Sequence, residues 1–279
     1  MLEVFTHEKT SRIKSLPYNS QRFNPSANLY DKYRPQPPAT LLDVLTRLAR
    51  SVHGPMVIDM GCGTGLSTRL WSERADRVVG IEPADNMREQ AEIQTSEQNV
   101  SYINALSHKT GLPDDCADIV TCSQSLHWMQ PYATFAEAAR ILRPGGVFAA
   151  YDHVWPPKTW HREVDQVYCN LMLRVRWLEN RYQTSDGLKI WSREQHLLRM
   201  RLSGHFRYTK ELHLCHVERG NAERFIGLIK SKGGVAALLK VGLTEREIGL
   251  ENLRGVVADV LGDNLKPWYF RYNIRIGVV

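Results

Sequence analysis

Paired cysteines, metal-ligand spacings and long apolar runs are all missing from this 279-residue chain. Its five cysteines, Cys62, Cys116, Cys122, Cys169 and Cys215, are an odd number scattered without a CxxC, which excludes a disulfide framework and a zinc ribbon. Ten histidines include neither HxxxH nor HExxH. The closest pair, His213 and His216, lies in alternating sequence where a strand would turn them to opposite faces, so no metal is expected. No apolar run approaches the ~20 residues that cross a bilayer. The opening MLEVFTHEKTSRIKSLPYNS breaks each short apolar stretch with charge and offers no signal-peptide core, so the expectation is a cytoplasmic protein without a membrane partner. Internal repeats and low-complexity segments are absent as well.

What is present is an ordinary globular composition, 43% hydrophobic and 24% charged. The charge is uneven. Residues 151–279 carry 21 Lys+Arg against 14 Asp+Glu, a net of +7, while residues 1–150 carry 15 against 16, a net of −1. The basic half is either a solubilising surface or an attractor for an anionic substrate or nucleic acid.

Residues 1–38 are polar and end in YDKYRPQPP, whose prolines stop a helix, so they read as an N-terminal arm or lid. From Ala39, Leu41, Leu42, Leu45, Leu48 and Ala49 recur at helical spacing before the apolar strand PMVIDMG. Strand and helix then alternate: helix LSTRLWSERA, strand RVVGIEP, helix DNMREQAEIQTSEQ, strands VSYINA and CADIVTCSQ, helix YATFAEAARILRPGG, strand VFAAYDH. Parallel neighbours need crossovers, so the pattern predicts an α/β parallel sheet with helices on both faces. Further on, apolar residues at 164, 167, 168, 171, 172, 175 and 178 predict a long amphipathic helix. Strand FRYTKELHLCHV, helices NAERFIGLIKSKGG and TEREIGLENLRGVVADVLG, and strand YFRYNIRIGVV follow. The expected division is a core over 39–155, a helical substrate-cap insertion over 156–205, and the remaining strands with helical cap elements over 206–279.

VIDMGCGTG, residues 57–65, ends a strand with Gly61, Gly63 and Gly65, and Glu82 ends the next strand 17 residues after Gly65. A carboxylate there accepts hydrogen bonds from both hydroxyls of a ribose. Dinucleotide sites use GxGxxG; here the spacing is GxGxG, and Asp59 precedes it where a pyrophosphate would be repelled and a sulfonium or ammonium group favoured.

VIDMGCGTG, VVGIEPADNM, DIVTCSQSLHWM and RILRPGGVFAAYD together resemble the motif series of class I S-adenosylmethionine-dependent methyltransferases, strongly over about residues 20–155. The YDKYRP arm and SLHWM are similar to a small-molecule branch that includes trans-aconitate methyltransferase-like proteins. The resemblance implies a Rossmann-like, mostly parallel seven-stranded sheet with a helical cap. It implies S-adenosylmethionine as cofactor and S-adenosylhomocysteine as product. Asp59 and the turn Gly61, Cys62, Gly63 and Gly65 would surround the amino-acid part, with Glu82 on the ribose and Pro83 and Met87 beside adenine. Ser107 and His108 occupy the loop where the family often puts an acid or amide, and ALSHK departs from that pattern. Ser123 and Gln124 would meet the methionine moiety, and Tyr30, Tyr33 and Arg34 would close over the cofactor.

For the acceptor, His127 in SQSLHWM is the first candidate to orient or deprotonate a nucleophile, or else it only shapes the pocket beside Trp128; Tyr151 and His153 come next. Trp155, Trp160 and Arg174 belong to an aromatic stretch interleaved with arginines that suits a partly apolar acid or phosphate ester. The leading reading is a methyltransferase for a small organic, anionic acceptor, on oxygen, nitrogen or carbon. An RNA or protein methyltransferase stands second, opposed by the lack of an RNA-binding module. A cofactor-binding protein of the same fold with a cyclase or other non-transferase role stands third.

Overall fold

The computed structural model describes residues 27–51 and 54–279, so the expected arm is followed only from Ala27. Short helix α1 (Ala27–Tyr33) and helix α2 (Ala39–Ala49) flank the proline-rich stretch and lead to β1 (Met56–Met60). The chain continues through β2 (Arg77–Ile81), α3 (Asp85–Ile93), β3 (Val100–Ile103), β4 (Ala117–Ser123), α4 (Pro131–Ile141) and β5 (Leu142–His153). Then come α5 (Arg162–Arg181), α6 (His196–Ser203), β6 (Tyr208–Gly220), α7 (Ala222–Lys230), α8 (Gly233–Lys240), α9 (Glu245–Ile248), α10 (Leu250–Leu261) and β7 (Lys266–Val278).

The seven strands form one sheet in the order β3-β2-β1-β4-β5-β7-β6. The first five pair in parallel, and β7 runs antiparallel between β5 and β6. The parallel sheet expected from the strand–helix alternation is therefore present, in the mostly parallel seven-stranded Rossmann-like form that the resemblance implies. Period-two alternation divides each central strand between two cores. Val57, Val78, Ile119, Val147 and Ala149 face a core shared with α2, α5, α7, α8 and α10. Ile58, Val79, Val120, Phe148 and Ala150 face one shared with Phe135 of α4, Met200 of α6 and Phe206. The apolar stripe of α5 is buried at Val164, Val167, Tyr168, Leu171, Val175 and Leu178, with Met172 at its margin.

Three expected helices differ. LSTRLWSERA forms only a short 3-10 turn, Arg69–Trp71, because its hydroxyls are drawn to the sheet: Thr68 Oγ1 donates to Asp59 Oδ2 at 2.8 Å, and Ser67 Oγ lies 2.7 Å from the Tyr151 hydroxyl. The helix expected over 221–234 is interrupted at Ser231–Lys232 between α7 and α8. That over 244–262 breaks at Gly249, whose φ of +97° no helix accommodates.

Candidate active site

The strand order reverses between β1 and β4, and their carboxyl ends diverge into a crevice, the place where open α/β sheets bind ligands. A cavity of about 300 Å³ lies there. Its walls come from the arm, the glycine turn, the loops after β2, β3, β4 and β5, the segment before α6 and the α7–α8 junction.

One half is built on the glycine turn. The N–H groups of Gly61 and Cys62 donate to Ile81 O and that of Gly65 to Cys62 O, so they are spent on holding the turn. The glycines contribute by what they lack. At Gly61, with φ +66°, a Cβ would sit 2.8 Å from the Ser125 Cβ and 2.4 Å from Met129; at Gly63, with φ +58°, it would meet Met87. Glu82 is tied to the same turn: Oε2 accepts from Gly63 N at 3.0 Å and Oε1 from Ala84 N at 2.9 Å. Each oxygen keeps a lone pair, and the carboxylate lines the cavity. Burial lifts its pKa to about 7, opposed by the two backbone donors, so a ligand that supplies hydroxyl donors favours the ionised form. Pro83, Met87, Leu106 and Ser107 continue this wall, and Ser123 and Gln124 close it from β4.

The other half is aromatic and cationic. Gln124, itself at φ +54°, donates from Nε2 to His153 Nδ1 at 2.7 Å. That fixes the His153 proton on Nε2, which is buried without a protein partner. His127 Nε2 accepts from Arg193 Nη2 at 2.7 Å, and Arg193 Nε is held by Asp152 Oδ1 at 3.1 Å. Asp152 Oδ2 takes Arg275 Nη1 at 2.8 Å, an ion pair buried between β5 and β7. Burial, with nearby cations, pushes the pKa of both His127 and His153 well below the usual histidine value. The Trp155 indole carries Arg34 at 4.9 Å and Lys232 at 4.0 Å, and Arg34 is also stacked on Tyr30 at 4.5 Å.

The cavity thus gathers Tyr30, Arg34, Gly61, Cys62, Gly63, Glu82, Pro83, Met87, Ser107, Ser123, Gln124, His127, Trp128, His153 and Trp155 from the expected residues. Seven others do not line it. Asp59 is fully buried beneath the turn, accepting from Thr121 Oγ1 at 2.7 Å and Thr68 Oγ1 at 2.8 Å, and burial raises its pKa to about 6. Its carboxyl organises the turn rather than facing a ligand, so the charge argument made from it against a dinucleotide loses its force. Gly65 packs on Tyr102. Tyr33 lies against Gly227 and donates to Glu223, and His108 falls outside the lining. Tyr151 is buried behind the wall on Ser67. Trp160 is 75% exposed beside Tyr269, and Arg174 donates to the carbonyl of Glu247, on the side of α5 turned to α9.

Sequence reasoning missed Ser67, Ser125, Met129, Arg193 and Lys232. Arg193 sits in an aperiodic segment that carries no signal of its own. Lys232 was hidden inside an expected helix whose interruption brings it to the cavity.

Residues 58–150 match the family described as a methyltransferase domain. Over this stretch, about a third of its length, the chain is similar to methyltransferase domains. A Saccharomyces cerevisiae protein assigned as an S-adenosylmethionine-dependent methyltransferase is 28% identical over 144 residues, 50% of this chain and 49% of that one. The malonyl-[acyl-carrier protein] O-methyltransferase of Serratia marcescens is 34% identical over 104 residues, 37% of this chain and 40% of that one. The chain thus spans about half the length of these curated relatives. A structure designated a type II methyltransferase from Anaeromyxobacter dehalogenans superposes with a TM-score of 0.61 at 23% identity, over 88% of this chain and 98% of that one, a likeness of fold.

The residues present fit S-adenosylmethionine, the cofactor that the motif resemblance implies. Glu82 offers lone pairs that a ribose would use as acceptors, Gly61 and Gly63 present bare backbone to the cavity, and Pro83, Met87 and Leu106 supply apolar walls that suit a flat base.

Proposed function

We propose that the protein transfers a methyl group from S-adenosylmethionine to a small organic acceptor held inside this cavity. The observation that carries the reading is the joining, in one space of about 300 Å³, of the Glu82–glycine half to an aromatic and cationic half able to receive a second molecule.

Glu82 would bind the ribose, with Pro83, Met87 and Leu106 beside the adenine. The bare backbone at Gly61 and Gly63, with Ser123 and Gln124, would receive the methionine part. Tyr30 and Arg34 would close over it, and residues 156–205 would act as a substrate cap. When bound, the cofactor supplies a sulfonium methyl already activated toward displacement. The protein's share is alignment of the nucleophile and exclusion of water.

Neither histidine is placed to take a proton. His127 Nε2 is occupied by the Arg193 guanidinium, and His153 presents an N–H. His127 therefore reads as a positioning residue and His153 as a donor. A site without a free base suits a nucleophile that is already anionic or carries a free lone pair. The O-methyltransferase relative supports oxygen as the attacked atom. The test is transfer of labelled methyl from S-adenosylmethionine to a panel of small acids, amines and phenols, beside total RNA and a protein extract. Labelling confined to small acceptors agrees with the proposal. Labelling of RNA or protein alone contradicts it.

A further inference from the structure

We propose that Lys232 and His153, both packed against Trp155, form an anion subsite that takes the carboxylate of a planar or apolar acceptor. This rests on the methyltransferase reading and names the substrate class for it. The cations of the cavity are not equivalent. Arg193 is neutralised by Asp152 and engaged with His127. Arg34 donates to Ser231 Oγ at 2.9 Å and to the Ser231 carbonyl at 3.0 Å, between the rings of Tyr30 and Trp155. As part of the arm that closes over the cofactor, it is placed to meet the cofactor's own carboxylate.

Lys232 differs. Among the described residues no carboxylate pairs with it, and its ammonium rests on the Trp155 ring at 4.0 Å and lies 5.7 Å from that of Tyr168. Burial and the neighbouring Arg34 and Arg193 lower its pKa, so an anion in the cavity would favour its charged form. The second observation is independent. His153 is 5% exposed, its Nε2 finds no protein partner, and its ring lies 4.7 Å from that of Trp155. One cation without a carboxylate partner and one neutral N–H both lie against the Trp155 indole, the equipment for a monoanion attached to a flat or apolar body. The start of α8 adds nothing to the subsite, because at Gly234 it already faces the Glu179 carboxylate.

The experiment is calorimetric titration of the full chain, with and without saturating S-adenosylhomocysteine. The probes are benzoate and phenylacetate, their neutral amides, and inorganic phosphate. The acids should bind at least tenfold more tightly than the amides, and phosphate should not bind. Lys232→Met should abolish the preference and Lys232→Arg should keep it, while both leave S-adenosylhomocysteine affinity within twofold; Lys232→Gln repeats the test if the methionine variant does not fold. Equal binding of acids and amides, or no binding of the acids, would overturn the proposal. So would loss of S-adenosylhomocysteine affinity in Lys232→Met with acid preference intact, which would give Lys232 to the cofactor instead. Failure of S-adenosylhomocysteine to bind the wild type would strike the methyltransferase reading separately, and the titrations without it then decide the subsite on their own.

Discussion

The two halves of the cavity are made in different ways. The half around Glu82 is anchored on one continuous piece of chain, β1, its glycine turn and the end of β2, with the loops after β3 and β4 completing its wall, and the polar contacts of Glu82 run from backbone to side chain over short separations. The half around Trp155 is assembled from β4, β5, the segment before α6, the α7–α8 junction and the arm, and its contacts span separations such as 66 residues for His127–Arg193 and 197 for Arg34–Ser231. A local motif fixes the first half, whereas the second exists only once the sheet and its covering helices have packed. One design can therefore keep a methyl donor while its acceptor changes, because the scattered positions of the second half alter without touching the turn.

Glu82→Gln sharpens the comparison most. In the ligand-free protein the Glu82 pKa stands near 7, against 4.5 for the ordinary carboxyl. The folded state thus holds this proton more tightly than the unfolded chain does. Its stabilising contribution is full below pH 4.5 and is lost as pH rises through 7. Glutamine does not ionise, so the variant should gain on wild type by on the order of 3 kcal/mol between pH 4.5 and 8 in urea melts. A difference independent of pH would place Glu82 in a more polar setting than the cavity provides.

Asp59 comes next, because it supports the turn from below. Asp59→Ala leaves the Thr68 and Thr121 hydroxyls buried without their acceptor and should cost about 2 kcal/mol of stability. Asp59→Asn, which keeps an acceptor oxygen, should cost less. If cofactor affinity collapsed in Asp59→Ala while stability held, direct contact with the ligand would be indicated.

In the scattered half, Arg193→Ala should lower kcat/KM for any acceptor found by about tenfold, the size of one lost charge-assisted contact, with S-adenosylhomocysteine affinity within twofold. Burial would still hold the His127 pKa below the usual histidine value, so no new limb is expected in the pH profile. A loss of cofactor affinity instead would merge the two halves. The smallest effects belong to Trp160→Ala and Arg174→Ala, each expected to change kcat/KM less than twofold, since neither side chain lines the cavity.

The fold was legible because its signals are local. Alternating strand and helix patterns, the buried apolar strands and the stripe of α5 each stand in a single window of sequence. Gly61 and Gly63 of the glycine turn and Glu82 stand out by the same local spacing, while Tyr30 and Arg34 are implied by the family resemblance; all of them line the cavity. The failures share a cause. Asp59 has the right chemistry for a ligand, but two hydroxyls from elsewhere consume it. Arg174 lies on a helix whose rotation is set by packing against α9 and α10, and no composition argument fixes that rotation. Lys232 needed a helix interruption that Ser231 makes by donating to Leu228 O and receiving Arg34. Arg193 needed the buried Asp152–Arg275 pair to hold it.

Calorimetric titration of S-adenosylhomocysteine into the wild type and Glu82→Ala bears most directly on the central claim. We expect one micromolar site in the wild type and at least a hundredfold weaker binding in Glu82→Ala, whose two lost acceptors are each worth about 1.5–3 kcal/mol. No binding by folded wild-type protein, or equal binding by the variant, would contradict the assignment of this cavity to the cofactor.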